Sequence, residues 1–187
     1  MTTDETHSAT NDELLALQRG ALAEVQRLVD GVRPDQLDEQ TPCEDWDVRT
    51  LLGHLVAGNA RFTAAPTGGS LMGMGDEVAP GADSAAYASS ASQVIDAWSA
   101  PAAFEQEHAS MNVTVQLIEC ALHGWDLARA TSQTAAFDDR LFDVVEPFAH
   151  QMMTAERPPG MGFGPEREAP VDASRLDRLA AFYGREV

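Results

Sequence analysis

The stretch VTVQLIECALHGWDLARA, residues 113–130, constrains this chain more than any other. Leu117, Ile118, Ala121, Leu122 and Trp125 help place apolar side chains round most of a helical circumference. A helix that is apolar nearly all round is a buried one. Residues three and four apart share a helix face, so Gln116, Glu119, His123 and Asp126 line up as a single polar stripe. That stripe has to meet partners, because an unpaired buried carboxylate is very costly. The rest of the chain must therefore supply helices that cover this segment, and something for its stripe to bind.

The covering helices are readable from periodicity. Leu14, Leu17, Ala21, Leu22, Val25 and Leu28 recur at helical spacing in a segment that Asn11 or Asp12 can cap and that Gly31 and Pro34 end. In TPCEDWDVRTLLGHLVAGNARFTAA, Thr41 with Glu44 has the form of a capping box for a short turn. Asp47 caps a longer helix carrying Val48, Leu51, Leu52, Leu55 and Phe62. Gly and Pro density makes residues 66–84 a long loop, the kind that serves as a lid or stays disordered. A helix follows over about 85–98, then the segment at 113–130, and another over about 138–153 with Asp138 as its cap. PPGMGFGPEREAP is a second loop, and the tail forms a short helix capped by Asp172 or Ser174. No segment alternates as a strand does. The expected fold is all-α, an up-and-down four-helix bundle with additional C-terminal helices. Residues 1–10 are expected to be a disordered tail and residues 11–187 one domain.

Chemistry concentrates on the stripe. Glu119 and His123, at i and i+4, have Cβ atoms roughly 5–6 Å apart and can reach one ion. His54 sits between Leu51 and Leu55 on the core side of its helix and supplies a third ligand. Alone, His54 reads equally as a satisfied core histidine, and Glu119 with His123 as a buried hydrogen-bonded pair. Together, two histidines and one carboxylate leave a fourth position open, as in a catalytic zinc site. The same set suits non-haem iron, so zinc is the expected ion, with nickel or iron as alternatives. Asp126 and Gln116 either orient the ligands or meet other polar partners. Cys120 points away from the stripe as a packing residue, while Cys43 stays open between packing and chemistry. His108 and His150 are further ligand candidates that read first as ordinary histidines. Trp46, Trp98 and Trp125 read as core anchors.

Three segments carry a resemblance: TPCEDWDVRTLLGHLVAGNARF, ECALHGWDLARATSQ and FGPEREAPVDASRLDRLAAFYGR. In them the chain resembles the DinB-like superfamily, specifically the metal-binding domain of mycothiol-dependent maleylpyruvate isomerases and its single-domain relatives. The resemblance implies a four-helix bundle and a divalent metal, usually zinc, held by a His of the second helix and a Glu-x-x-x-His pair of a later one. Those positions are His54, Glu119 and His123. It also implies thiol transfer or isomerisation with a low-molecular-weight thiol such as mycothiol. The alternative is a non-catalytic bundle that the metal staples, or a small-molecule-binding protein.

Charge excludes other classes. With twelve Lys and Arg in 187 residues, the formal charge is −18, which repels phosphate backbones. No stretch approaches the ~18 apolar residues of a membrane span. Two cysteines are too few for a disulfide framework, and the polar acidic start is unlike a secretory signal. The expectation is a cytoplasmic protein, monomeric or homodimeric, whose partner is a small-molecule substrate or thiol and neither nucleic acid nor a membrane.

Overall fold

The computed structural model describes residues 9–43, 46–71, 77–153 and 163–187. Within them lie six α-helices: α1 Asn11–Asp30, α2 Val48–Ala64, α3 Ser84–Trp98, α4 Ala109–Thr131, α5 Asp139–Met152 and α6 Arg175–Phe182. The only strand-like pairing among the described residues is an isolated bridge between Gln40 and Asp47. The fold is all-α, as the periodicity implies. No described helix is long and apolar enough to cross a membrane. Eight residues of the expected disordered tail, 1–8, lie outside the described residues, as does the Glu44 half of the expected capping box.

Helix starts follow local chemistry. Asp47, Asp83, Asp138 and Ser174 each accept a hydrogen bond from a backbone N–H of the first turn they precede. At α1 the cap is Thr10 rather than Asn11 or Asp12. Its hydroxyl accepts from Glu13 N while the Glu13 carboxylate accepts from Thr10 N at 2.7 Å, which satisfies two end groups reciprocally. Helix α4 begins four residues before the expected start, because Ala109 and the polar turn after it continue the spiral.

Cross-helix hydrogen bonds give each helix its direction. Gln18 bonds Gln116 and Gln133 bonds the Leu28 carbonyl, so α1 and α4 run parallel. Asn59 bonds Ser90 and Trp98 bonds the Phe62 carbonyl, so α2 and α3 also run parallel. Arg19 to Ser99 and Gln26 to Ser84 make α1 and α3 antiparallel. The bundle is thus up, down, down, up. The long connection over residues 65–83 carries the chain from the end of α2 back to the start of α3. Helix α1 lies beside α3 and α4, and α2 faces those same two helices from the other side.

Helices α5 and α6 pack on α4 and on each other. Leu141, Phe142, Val145 and Ala149 form the buried stripe of α5. Arg175 at the start of α6 pairs with Asp143 (2.8 Å) and Glu146 (2.8 Å) of α5, and Trp125 of α4 donates to Asp177 at 2.8 Å. Helix α4 is therefore covered on every side, and fourteen of the eighteen residues from Val113 to Ala130 are buried, which the arithmetic of its apolar circumference demanded.

The connection that follows α2 returns across it. Ala79 N donates to the Gly53 carbonyl at 2.9 Å, and a Cβ built on Gly53 would stand 2.7 Å from the Ala79 carbonyl oxygen. A side chain there must push the connection away from α2, beside His54. Gly53→Ala is expected to lower stability by about 1–3 kcal/mol, an overpacking cost. Urea denaturation checks it, and an unchanged midpoint would show that the connection yields freely.

Candidate metal centre

Helix α2 delivers His54 and helix α4 delivers Glu119 and His123 to one point. Antiparallel α2 and α4 put His54 opposite the turn that carries both α4 residues. The Glu119 Oε2 atom stands 3.4 Å from His54 Nε2 and 3.3 Å from His123 Nε2. The three ligand atoms all lie within 4.8 Å of one another. Both histidine rings are buried, and the Glu119 side chain keeps 15% exposure, which leaves an approach to the cluster along its carboxylate.

Behind the triad stands a second carboxylate. Asp126, fully buried one turn beyond His123, places Oδ2 at 3.1 Å from His123 Nδ1. An ionised carboxylate only accepts, so Nδ1 carries the hydrogen and the Nε2 lone pair faces Glu119. Arg185 holds Asp126 from the other side, Nε to Oδ1 at 3.2 Å and Nη2 to Oδ2 at 3.0 Å, and its Nη1 donates to the Tyr183 carbonyl at 3.1 Å. Arg185 reaches this place because Gly184 adopts φ +89 and turns the chain back on α6, where Arg185 N donates to the Ala180 carbonyl.

Electrostatics follow from these contacts. Burial disfavours an ionised Glu119, but hydrogen bonds and charge from His123 and His54 hold its carboxyl far below the ordinary range. Burial likewise works against a charged His123, yet Asp126 and Glu119 raise it to about 9. Asp126 is lowered against its own desolvation by His123 and Arg185. Cys120, next to Glu119, is pushed up to about 12 by burial and by that carboxylate, so its thiol stays neutral and packs.

The loop before α2 closes the site. Thr41 Oγ1 donates to the Trp46 carbonyl at 2.9 Å and Trp46 N donates to the Cys43 carbonyl at 3.1 Å, a tight turn that aims both side chains inward. The Trp46 ring lies 4.5 Å from His54 and 5.7 Å from His123, centroid to centroid. It is a wall of the site as well as a core residue. Cys43 forms a second cluster of potential ligand atoms with His123 and Asp126. Trp98 and Trp125 are the buried anchors expected of them.

Other candidates lie elsewhere. His108 is the residue before α4 and His150 stacks on Phe182 at 4.5 Å. Gln116 turns to Gln18 instead of the triad, at 2.7 Å. Arg61 pairs with Glu77, and Arg129 lies over the Trp125 ring. Sequence reasoning missed Arg185 and the Trp46 wall, since neither shares a helical period with the stripe.

Arg185 is the cation that faces the buried Asp126 charge. Arg185→Met keeps much of the side-chain volume and removes that charge. It is expected to cost about 3–5 kcal/mol, the penalty of stranding a buried ion, as read by thermal or urea unfolding. A loss below about 1 kcal/mol would mean that His123 alone compensates Asp126.

This geometry has relatives. The family model for the mycothiol maleylpyruvate isomerase N-terminal domain matches residues 18–128, a span that includes His54, Glu119, His123 and Asp126 but stops before Arg185. In each of two strains of Mycobacterium tuberculosis the chain is similar to an uncharacterised protein, 30% identical over 188 residues, covering 94% of this chain and 99% of the other. No solved structure matches the chain. With more than half its length inside the family model, the chain belongs to the mycothiol maleylpyruvate isomerase N-terminal domain family.

Proposed function

We propose that His54, Glu119 and His123 hold a divalent ion, with zinc favoured over nickel or iron, and that the protein is a metal-dependent enzyme acting with a low-molecular-weight thiol of the mycothiol type. The observation that carries the metal is a spacing. Donor atoms of a tetrahedral ion with bonds of about 2.0–2.1 Å stand about 3.3–3.4 Å apart. Glu119 Oε2 stands 3.4 and 3.3 Å from the two Nε2 atoms. Charge-assisted hydrogen bonds between the same groups would draw them to about 2.7–2.9 Å. The donor set fits as well: two imidazoles and one carboxylate, with a fourth direction left over.

A divalent ion in this place supplies a Lewis acid that makes a thiol or water a nucleophile near neutral pH. The chain's own residues prepare for it. Asp126 fixes the His123 tautomer and ring angle so that Nε2 is presented as the donor, and Arg185 fixes Asp126. Trp46 excludes water from one side of both rings. Glu119 contributes the negative charge that partly offsets a 2+ ion, and its exposed edge marks the side from which a thiol enters. The thiol itself rests on kinship with the isomerase family and on that open side.

Zinc should raise the melting temperature, because an ion bound only by the folded state stabilises it by mass action. At a hundred to a thousand times Kd the rise is roughly 5–15 °C for a domain of this size. His123→Ala should lose most of that rise, and Glu119→Gln should weaken zinc binding, whereas a change at exposed Glu166 should leave it intact. Identical responses of wild type and His123→Ala to zinc and to chelator would place the ion elsewhere.

The thiol reading makes a separate demand. A low-molecular-weight thiol should bind the zinc-loaded protein and leave the metal-free protein untouched, as calorimetry would record. If none of the common cellular thiols binds the zinc form at millimolar concentration, the thiol chemistry is refuted while the metal centre stands.

A further inference from the structure

Deeper in the bundle than the triad, the polar stripe of α4 continues to Gln116, where it meets side chains of α2 and α3. A cavity of about 20 Å³ opens here, lined by Asn59, Tyr87, Gln116 and Cys120 and shared with His54 and Glu119. Its size fits a single water-sized group. Two of the lining side chains, each only 1% exposed, carry polar atoms without a partner: the Tyr87 hydroxyl and Gln116 Nε2. Gln18 Nε2 donates to Gln116 Oε1 at 2.7 Å, which occupies the oxygen of Gln116 and leaves its N–H₂ over. The Asn59 amide lies near the phenol but gives its own hydrogen bond to Ser90 Oγ at 3.0 Å, and no hydrogen bond of sound geometry joins it to Tyr87.

Unpaired buried polar atoms cost about 1–3 kcal/mol each, and Phe and Leu would fill the same space without that cost. Two such atoms on one small cavity, beside a reactive centre, call for a ligand atom that accepts from both. The class of that ligand follows from charge. Glu119 is the one charged side chain among the described lining residues, and it is negative. The nearest cations are committed, Arg185 to Asp126 and Arg61 to Glu77. A carboxylate would enter with nothing on the chain to balance it, while a neutral carbonyl oxygen needs only donors.

We propose that this cavity is a subsite for the carbonyl oxygen of an uncharged small molecule, received between the Tyr87 hydroxyl and the Gln116 amide, with the rest of that molecule directed past Glu119 and His54. The inference rests on the metal-centre reading for where the reacting atoms lie, but the cavity and its donors are independent of any ion. Burial keeps the Tyr87 phenol protonated, with its pKa raised well above the ordinary value, so the hydroxyl remains a donor throughout the working pH range.

The test uses ¹⁵N-labelled, zinc-loaded protein and reads the side-chain amide resonances of Gln116, assigned through Gln116→Leu. Acetamide at millimolar concentration should shift them saturably, and acetate, matched in size but charged, should not. Tyr87→Phe removes one donor at nearly constant volume and should weaken acetamide binding about fivefold, the equivalent of one hydrogen bond, without lowering the melting temperature. Gln116→Leu, followed through ligand-observed saturation transfer, should do the same. An unmoved Gln116 resonance, an equal response to acetate, or unchanged affinity in Tyr87→Phe would each overturn the subsite and leave the cavity as the seat of a structural water. The same titration on metal-free protein separates the two readings. A Gln116 response retained where zinc fails to bind refutes the metal centre alone, and zinc binding without a Gln116 response refutes the subsite alone.

Discussion

Asp126 is fully buried on a helix that is itself covered on all sides, and a carboxylate in that position dominates what surrounds it. Removing it from water costs several kcal/mol unless opposite charge and hydrogen bonds meet it. His123 meets one oxygen and Arg185 spans both. Arg185 lies 59 residues further along, so the end of the chain has to be docked before the middle of α4 is electrically tolerable. That requirement explains the appended helices. Helix α6 anchors to α4 through Trp125 and Asp177, Phe182 and Tyr183 are buried beside it, and the Gly184 turn swings Arg185 inward. The four-helix bundle and its C-terminal extension are one electrostatic unit.

Local signals in the sequence reached some of this and not the rest. The α4 stripe and the core position of His54 were readable because a helical period converts spacing directly into a shared face. Asp47 and Asp138 were readable as caps for the same reason of locality. At α1 two adjacent polar residues, Asn11 and Asp12, competed with Thr10, and the deciding pattern was the Thr10–Glu13 capping box. Helix direction was not readable: a connection of the length of residues 65–83 can return to either end of the bundle, and only cross-helix bonds such as Asn59 to Ser90 decide. Trp46, Cys43 and Arg185 belong to loops or termini, and no periodicity links such residues to the face they dock on. Sequence alone left Cys43 open between packing and chemistry. The fold makes it buried and sets it with His123 and Asp126.

The buried polar groups form a graded series along α4. At one end Arg185 and Asp126 neutralise each other. In the middle Glu119 stands between two imidazoles at distances too long for strong hydrogen bonds. At the other end the Gln18–Gln116 pair and Tyr87 carry no charge and are incompletely bonded. A bundle core assembled only for stability would have no reason to hold this series, since apolar residues of similar volume would pack there without desolvation penalties. Each segment instead has a task that fits its chemistry: charge compensation and alignment behind the histidines, ion binding between them, and recognition of a neutral polar group beyond.

Net charge acts on the same division at longer range. A chain at −18 attracts cations and repels anions well before contact, which favours capture of a divalent ion and disfavours delivery of a dicarboxylate. Inside the site the proposed ion would reverse the local sign, but its field is spent first on Glu119, which lies within ligand distance of both histidines. The cavity beyond is then left with hydrogen-bond donors and no free positive charge on the chain. Selection between a charged and an uncharged substrate falls to Tyr87 and Gln116, two residues that reach no ion and whose donors match a carbonyl oxygen.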